Sequence, residues 1–310
     1  METLPIEEVS QLDKQLQLPL CNIVNKFIEE RKIEQVYHYT SSVGLHSILT
    51  NQKLWFTRWD CLNDYSENKY IHDLIAEGLK TFSDYPDFVA CFSEINDLKR
   101  KRKDESRFLR GEDNLFIASF SLNNDALNLW TYYTKSAQAD GYCVGFKCSD
   151  IFCEDGLDII TSEMIYDPIL QKRIIASLLE SFLAIYNNLG KNETTKIDRY
   201  MIMGRRFEYY ISEISCFFKH PAFYAEEEFR AVVRMHKNSE KYLELPLNVR
   251  QNGGMLVPYT ELGFKKEHVA SVTISPTLID KPVLPGLHVL RSELGMNFEI
   301  RRSQIPFRAM

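Results

Sequence analysis

The feature that most narrows the possible folds is a change of hydrophobic period along the chain. Short β-prone segments come first, two long stretches of helical period follow, and short strand-like segments return. Pro168 opens a region in which Ile174, Leu178, Phe182, Ile185 and Leu189 fall on one stripe of a helix. A second helical stretch, 197–218, follows the polar sequence GlyLysAsnGluThrThr. Ahead of this pair, 36–39, 53–57, 88–93, 115–121 and 142–146 read as strands, the last pairing with a segment near 162–166. Beyond it, 228–235, 254–259 and 268–274 read as strands again. Shorter helices are predicted around Leu45 to Leu49, over 66–79, and around Leu127, Trp130 and Tyr133. Residues 1–35 read as an extended lead and an amphipathic helix. No internal repeat interrupts the pattern, so the predicted organisation is a single α+β domain over 36–310 with a helical insertion at about 168–218.

Composition removes several classes of protein. A chain of 310 residues with 45% hydrophobic composition can bury a substantial core. Its apolar runs are broken well before the roughly 18 residues a membrane helix needs, and no leader-like start is visible, so a cytoplasmic location without membrane contact is expected. The seven cysteines form no CxxC pair, and Cys143, Cys148 and Cys153 have no metal-ligand spacing; free thiols and no metal are expected. A formal charge of −6 argues against a dedicated nucleic-acid binder. The local exception is 99–110, where LysArgLysArgLys is followed by Arg107 and Arg110. That run suits polyphosphate, an acidic partner or solvent.

The chain lacks GxSxG, GxxxxGK, GxGxxG and HExxH patterns, so the chemistry must come from polar residues at strand ends. His38 lies between Tyr37 and Tyr39 and, on a strand, points opposite to both rings. Thr40 follows at the head of a helix. Asn63 and Asp64 form a turn able to hold a loop over a cleft. Ser93 and Ser121 each end a PheSer strand. Trp130 and Tyr133 suit either core packing or a pocket wall. In the cluster Glu226, Glu227, Glu228, a strand period places Glu226, Glu228 and Arg230 on one face, with the carboxylates about 6–7 Å apart. Such a pair can hold sugar hydroxyls or stabilise an oxocarbenium-like centre, and it can equally be an ion-pair row.

Taken in order, TyrHisTyrThr at 37–40, LysLeuTrpPheThr at 53–57, LeuAsnAsp at 62–64, CysPheSer at 91–93, SerPheSer at 119–121, GlyTyrCysValGlyPhe at 141–146, GluGluPheArg at 227–230 and ArgSerGlnIlePro at 302–306 resemble a largely bacterial domain-of-unknown-function family numbered 2971. That pattern in turn looks like the ADP-ribosyltransferase folds, whose split sheet carries a histidine or arginine on an early strand, an aromatic or hydroxyl residue on a second and a glutamate on a late one. The resemblance implies that His38 holds a ribose of NAD as substrate, that Tyr39 and Trp55 pack the nicotinamide side, and that Glu228 is the late glutamate, with Glu226 beside it. Thr40, Asn63, Asp64, Ser121, Trp130 and Arg230 complete the implied dinucleotide site.

Two functions follow as expectations. One is an NAD-consuming enzyme, transferring ADP-ribose to a protein or nucleic-acid acceptor or hydrolysing NAD, in a toxin or antiviral-defence role. The other is a non-catalytic nucleotide-sensing or protein-interaction domain using the same cleft.

Overall fold

In the computed structural model of the chain, the described residues are 32–62, 66–101, 114–133, 141–148, 151, 157–191, 196–235, 245–252, 254–278 and 281–306. The lead up to residue 31, Asn63, Asp64 and 102–110 of the basic run lie outside them; Lys99 to Lys101 close a helix. The fold is α+β with an open, mixed ten-stranded sheet. The chain divides into two compact units, one helical and one built on the sheet.

The helical unit holds Asp64–Glu105 and Ile165–Pro221. Its helices are α2 (Ser66–Leu79), α3 (Pro86–Lys101), α5 (Pro168–Lys191) and α6 (Lys196–Ser215). The predicted insertion therefore forms helices as its stripe required, and it shares one core with two earlier helices. The segment 88–93, expected as a strand, is part of α3. Phe88, Phe92 and Ile95 recur at helical spacing and are all buried in that core, so burial of one helical face outweighs the β-prone composition. Ser93 accordingly sits on a helix and not at a sheet lip. Buried Gln171 ties the unit internally, donating to the carbonyls of Ile165 and Lys219 and accepting from the Tyr70 hydroxyl.

The sheet unit holds Lys32–Asn63, Ser106–Met164 and Ala222–Met310. Its strands are β1 (Gln35–Thr40), β2 (Lys53–Arg58), β3 (Asn114–Ser121), β4 (Tyr142–Lys147), β5 (Asp158–Glu163), β6 (Glu228–Met235), β7 (Asn248–Asn252), β8 (Met255–Gly263), β9 (Val269–Ile274) and β10 (Glu299–Arg302). The helices are α1 (Ser42–Asn51), α4 (Leu127–Tyr133) and α7 (Leu284–Glu293). Of the three hydroxyls ahead of the apolar helical pattern, Thr40, Ser41 and Ser42, it is Ser41 that caps α1, accepting from the Gly44 amide at 3.1 Å.

The sheet forks at β3. One edge of β3 pairs along its whole length with β6, which pairs in turn with β5. The other edge is shared. Near its end Ser121 pairs with Tyr37 of β1, and further back Ile117 and Phe116 pair with Thr57 and Arg58 of β2. The two strands diverge from there into an arm β1–β4–β9–β10 and an arm β2–β8–β7. All pairings are antiparallel except β9 with β10.

One face of the sheet carries Val36, Phe56, Phe116, Phe120, Val144 and Phe229 into the main core with Leu45 and Leu49 of α1 and Leu287 of α7. On the other face a smaller cluster joins Tyr39 and Cys143 to Ala126, Leu129 and Trp130. The alternation of strand side chains builds both clusters from the same strands.

Candidate functional site

At the fork, Ala118, Ser119 and Phe120 have no strand partner on the shared edge of β3, between the pairings at Ser121 and Ile117. A free carbonyl in such a gap needs a donor. His38 supplies it, with Nδ1 3.1 Å from the Ser119 oxygen. A carbonyl only accepts, so Nδ1 carries the proton and Nε2 is left as an acceptor. Among the described residues Nε2 has no partner. Burial holds the imidazole below the ordinary histidine range and the nearby Arg250 adds to this, against the opposing bond to Ser119. His38 is thus a neutral acceptor at the branch point of the sheet.

On the face of the sheet opposite to Val36 and Phe56, β2 and its neighbours build a polar and aromatic surface. Trp55 and Thr57 project from the same face of β2, where the register places Glu261 and Tyr259 of β8 opposite them. Trp55 is 43% exposed, its ring centroid 4.5 Å from that of Tyr259. Its Nε1 donates to Glu261 at 3.1 Å, while Lys53 takes the other Glu261 oxygen at 2.8 Å. Arg250 of β7 reaches over, donating to Thr57 Oγ1 at 3.0 Å with its guanidinium carbon 5.6 Å from the Trp55 ring. None of Thr57, Arg250, Tyr259 or Glu261 stands out in the sequence. Alternation within 248–252 was the only signal for Arg250, and nothing local connects it to a tryptophan almost 200 positions earlier.

Glu228 and Arg230 occupy the opposite edge of β3. Arg230 faces Ser119, and Glu228 faces Ser121. The two side chains form a buried two-pronged pair, Nε to Oε1 at 2.7 Å and the second nitrogen to Oε2 at 3.3 Å. Ser119 therefore links the two groups, its carbonyl on His38 and its register partner Arg230. The backbones of β1 and β6 lie roughly 10 Å apart across β3.

Glu226 does not share the strand face with Glu228. It closes the 3-10 turn Pro221–Glu226, and Glu227 has a φ of 43°, so the chain turns left-handed before β6 begins at Glu228. The strand period cannot run back through such a residue.

Tyr39, Thr40, Ser121 and Trp130 serve the scaffold. The Tyr39 hydroxyl donates to the Asn123 carbonyl and accepts from the Ala126 amide, both at 2.9 Å, and burial drives its pKa well up. Trp130 is fully buried against Tyr39 and donates to Asp125 at 2.7 Å. Ser121 Oγ donates to the Glu226 carbonyl and accepts from the Asn123 amide. Thr40 lies against Gly44, where an added Cβ would fall 2.0 Å from its Oγ1. Asn63 and Asp64 are outside the described residues. Of the predicted set the fork itself holds His38; Trp55 lies on the neighbouring strand β2, and Glu228 and Arg230 lie across β3.

Among the described residues, no group of three or more His, Cys, Asp or Glu is placed to hold a metal ion, and no helix is long and apolar enough to cross a membrane. A family model described as a protein of unknown function (DUF2971) matches residues 129–231, which run from within α4 through β4, β5, α5 and α6 to Ala231 in β6 and include GluGluPheArg at 227–230. No curated protein and no solved structure matches the chain.

Proposed function

We propose that the forked sheet handles a nucleotide, and that the substrate is NAD, which the chain consumes by ADP-ribosyl transfer or by hydrolysis. The observation that carries this reading is His38: a neutral imidazole fixed by Ser119 in the fork, with Nε2 left to accept from a ribose hydroxyl. A sheet split at one strand, with a histidine on an early strand and a glutamate on a late one, is also the arrangement expected of an ADP-ribosyltransferase-like fold. Fold analogy alone does not assign chemistry.

On this reading the C–N bond between nicotinamide and ribose breaks, with its electron pair leaving on nicotinamide. Glu228, oriented by Arg230, stabilises the positive charge that develops at the anomeric carbon. Water or a macromolecular nucleophile then supplies the electron pair for the new bond and releases its proton. Catalysis is mainly orientation and electrostatics, with no covalent intermediate on the protein.

A second reading, nucleotide binding without turnover, is favoured by one observation. Glu228 is 4% exposed and both of its oxygens face Arg230, which is a structural duty. Nicotinamide release from NAD separates the two. Release that falls at least tenfold in His38→Ala and in Glu228→Gln, both still folded by circular dichroism, supports consumption. Saturable NAD binding with no release, with or without cell lysate as acceptor, supports binding alone.

A further inference from the structure

The guanidinium of Arg250 has a single hydrogen bond, to Thr57, and no ion-pair partner among the described residues. Its Nε is buried and without a partner. The acid that shares this face, Glu261, is already engaged through both oxygens by Lys53 and Trp55. Leaving a buried guanidinium N–H unpaired forfeits its hydration without replacing it, so the arrangement is incomplete as it stands. Thr57 is buried and accepts from Arg250, which leaves its own hydroxyl proton without an acceptor among the described residues. Two kinds of donor, a guanidinium edge and a hydroxyl, therefore stand together with no acceptor supplied among the described residues.

The neighbourhood says which acceptor fits. Exposed Trp55, braced by Tyr259 on β8, offers a flat aromatic surface next to the guanidinium. A planar, charged fork matches phosphate oxygens, and an indole face suits a heterocyclic base. We propose that Arg250 and Thr57 form a phosphate-binding site, with Trp55 as the stacking surface for the base of the same nucleoside diphosphate. The inference deepens the nucleotide reading of the fork and rests on it only for location: it requires a nucleotide there, not the breakdown of NAD. The negative net charge of the chain favours a free nucleotide over a polynucleotide, whose backbone needs a longer basic track.

The test is calorimetric binding of ADP, inorganic pyrophosphate, adenosine and a short single-stranded oligonucleotide to the full chain, with Arg250→Gln, Arg250→Lys and Trp55→Leu alongside. ADP is expected to bind the wild type, and both Arg250 variants are expected to lose at least tenfold for ADP and pyrophosphate. Arg250→Lys keeps the charge and loses the fork, so its loss separates directed recognition from general attraction. Trp55→Leu is expected to weaken ADP several-fold and leave pyrophosphate unchanged. Unaltered ADP affinity in folded Arg250→Gln overturns the proposal, as does oligonucleotide binding tighter than ADP by tenfold or more. ADP binding that depends on Arg250, without nicotinamide release from NAD, upholds this site and sinks NAD consumption. Release with a KM unchanged in Arg250→Gln does the reverse.

Discussion

His38 and Ser119 meet where two strands part: the imidazole Nδ1 lies 3.1 Å from a carbonyl that no strand pairs with on that edge of β3. The histidine thus has two attributes at once. It completes the backbone hydrogen bonding of the fork, and it presents a second nitrogen held neutral by its surroundings.

This placement fixes a pH dependence. The folded-state pKa of His38 lies below the ordinary 6.5, chiefly through burial and also through Arg250. The unfolded chain therefore binds more protons as pH falls through that value, and stability falls with it; the contribution is fully present above about pH 6.5 and is lost below. The melting temperature of the wild type is expected to drop between pH 7 and pH 5 more steeply than that of His38→Gln, as followed by circular dichroism. Equal slopes would show that His38 does not titrate between the folded and unfolded states.

The Glu228–Arg230 pair is almost wholly buried. Glu228→Ala removes a two-pronged carboxylate partner from the buried Arg230 guanidinium and is expected to cost about 3 kcal/mol in urea unfolding. Replacing both residues by methionine is expected to cost less than Glu228→Ala alone. A larger loss in the double variant would contradict the desolvation account.

Gly145 is required by a close approach. A Cβ there would lie 2.4 Å from Ser271 Oγ and 3.0 Å from the Tyr37 ring. Gly145→Ala is expected to destabilise by about 1–3 kcal/mol. Ser271→Ala added to it should restore part of that, because the Ser271 hydroxyl is buried with no hydrogen-bond partner among the described residues and its removal makes room. No recovery in thermal unfolding would place the clash on Tyr37.

Asp125 gathers the C-terminal segment onto α4. Its Oδ1 accepts from Trp130 at 2.7 Å and from Ser303 at 2.6 Å, and Oδ2 accepts from the Gln304 amide at 2.8 Å. Asp125→Ala strands the buried indole N–H and is expected to cost about 1–3 kcal/mol. Limited proteolysis should then cut near 303–306 faster than in the wild type.

Period and capping determined much of the architecture from the sequence alone. The stripe from Ile174 to Leu189, the alternation in 115–121 and the capping hydroxyls at 40–42 are local regularities, and each produced the element it predicted. Where two local signals competed, tertiary burial decided. The segment around Phe88 and Phe92 has strand-like composition, yet its helical spacing fits one buried face, so it is helix. The left-handed turn at Glu227 likewise removed Glu226 from the strand face that a simple alternation gives it.

His38 and Trp55 were legible as candidates because each carries unusual chemistry on a short strand. Tyr39 and Trp130 were equally conspicuous, but their polar atoms are used inside the fold. Which aromatic is core and which is surface depends on what covers it, and the chain does not encode that locally. Arg250 shows the other side of the same limit. Its meeting with Thr57 and Trp55 arises from the pairing of β7 with β8 and of β8 with β2, and strand pairing between segments nearly 200 residues apart is decided by the whole folded sheet.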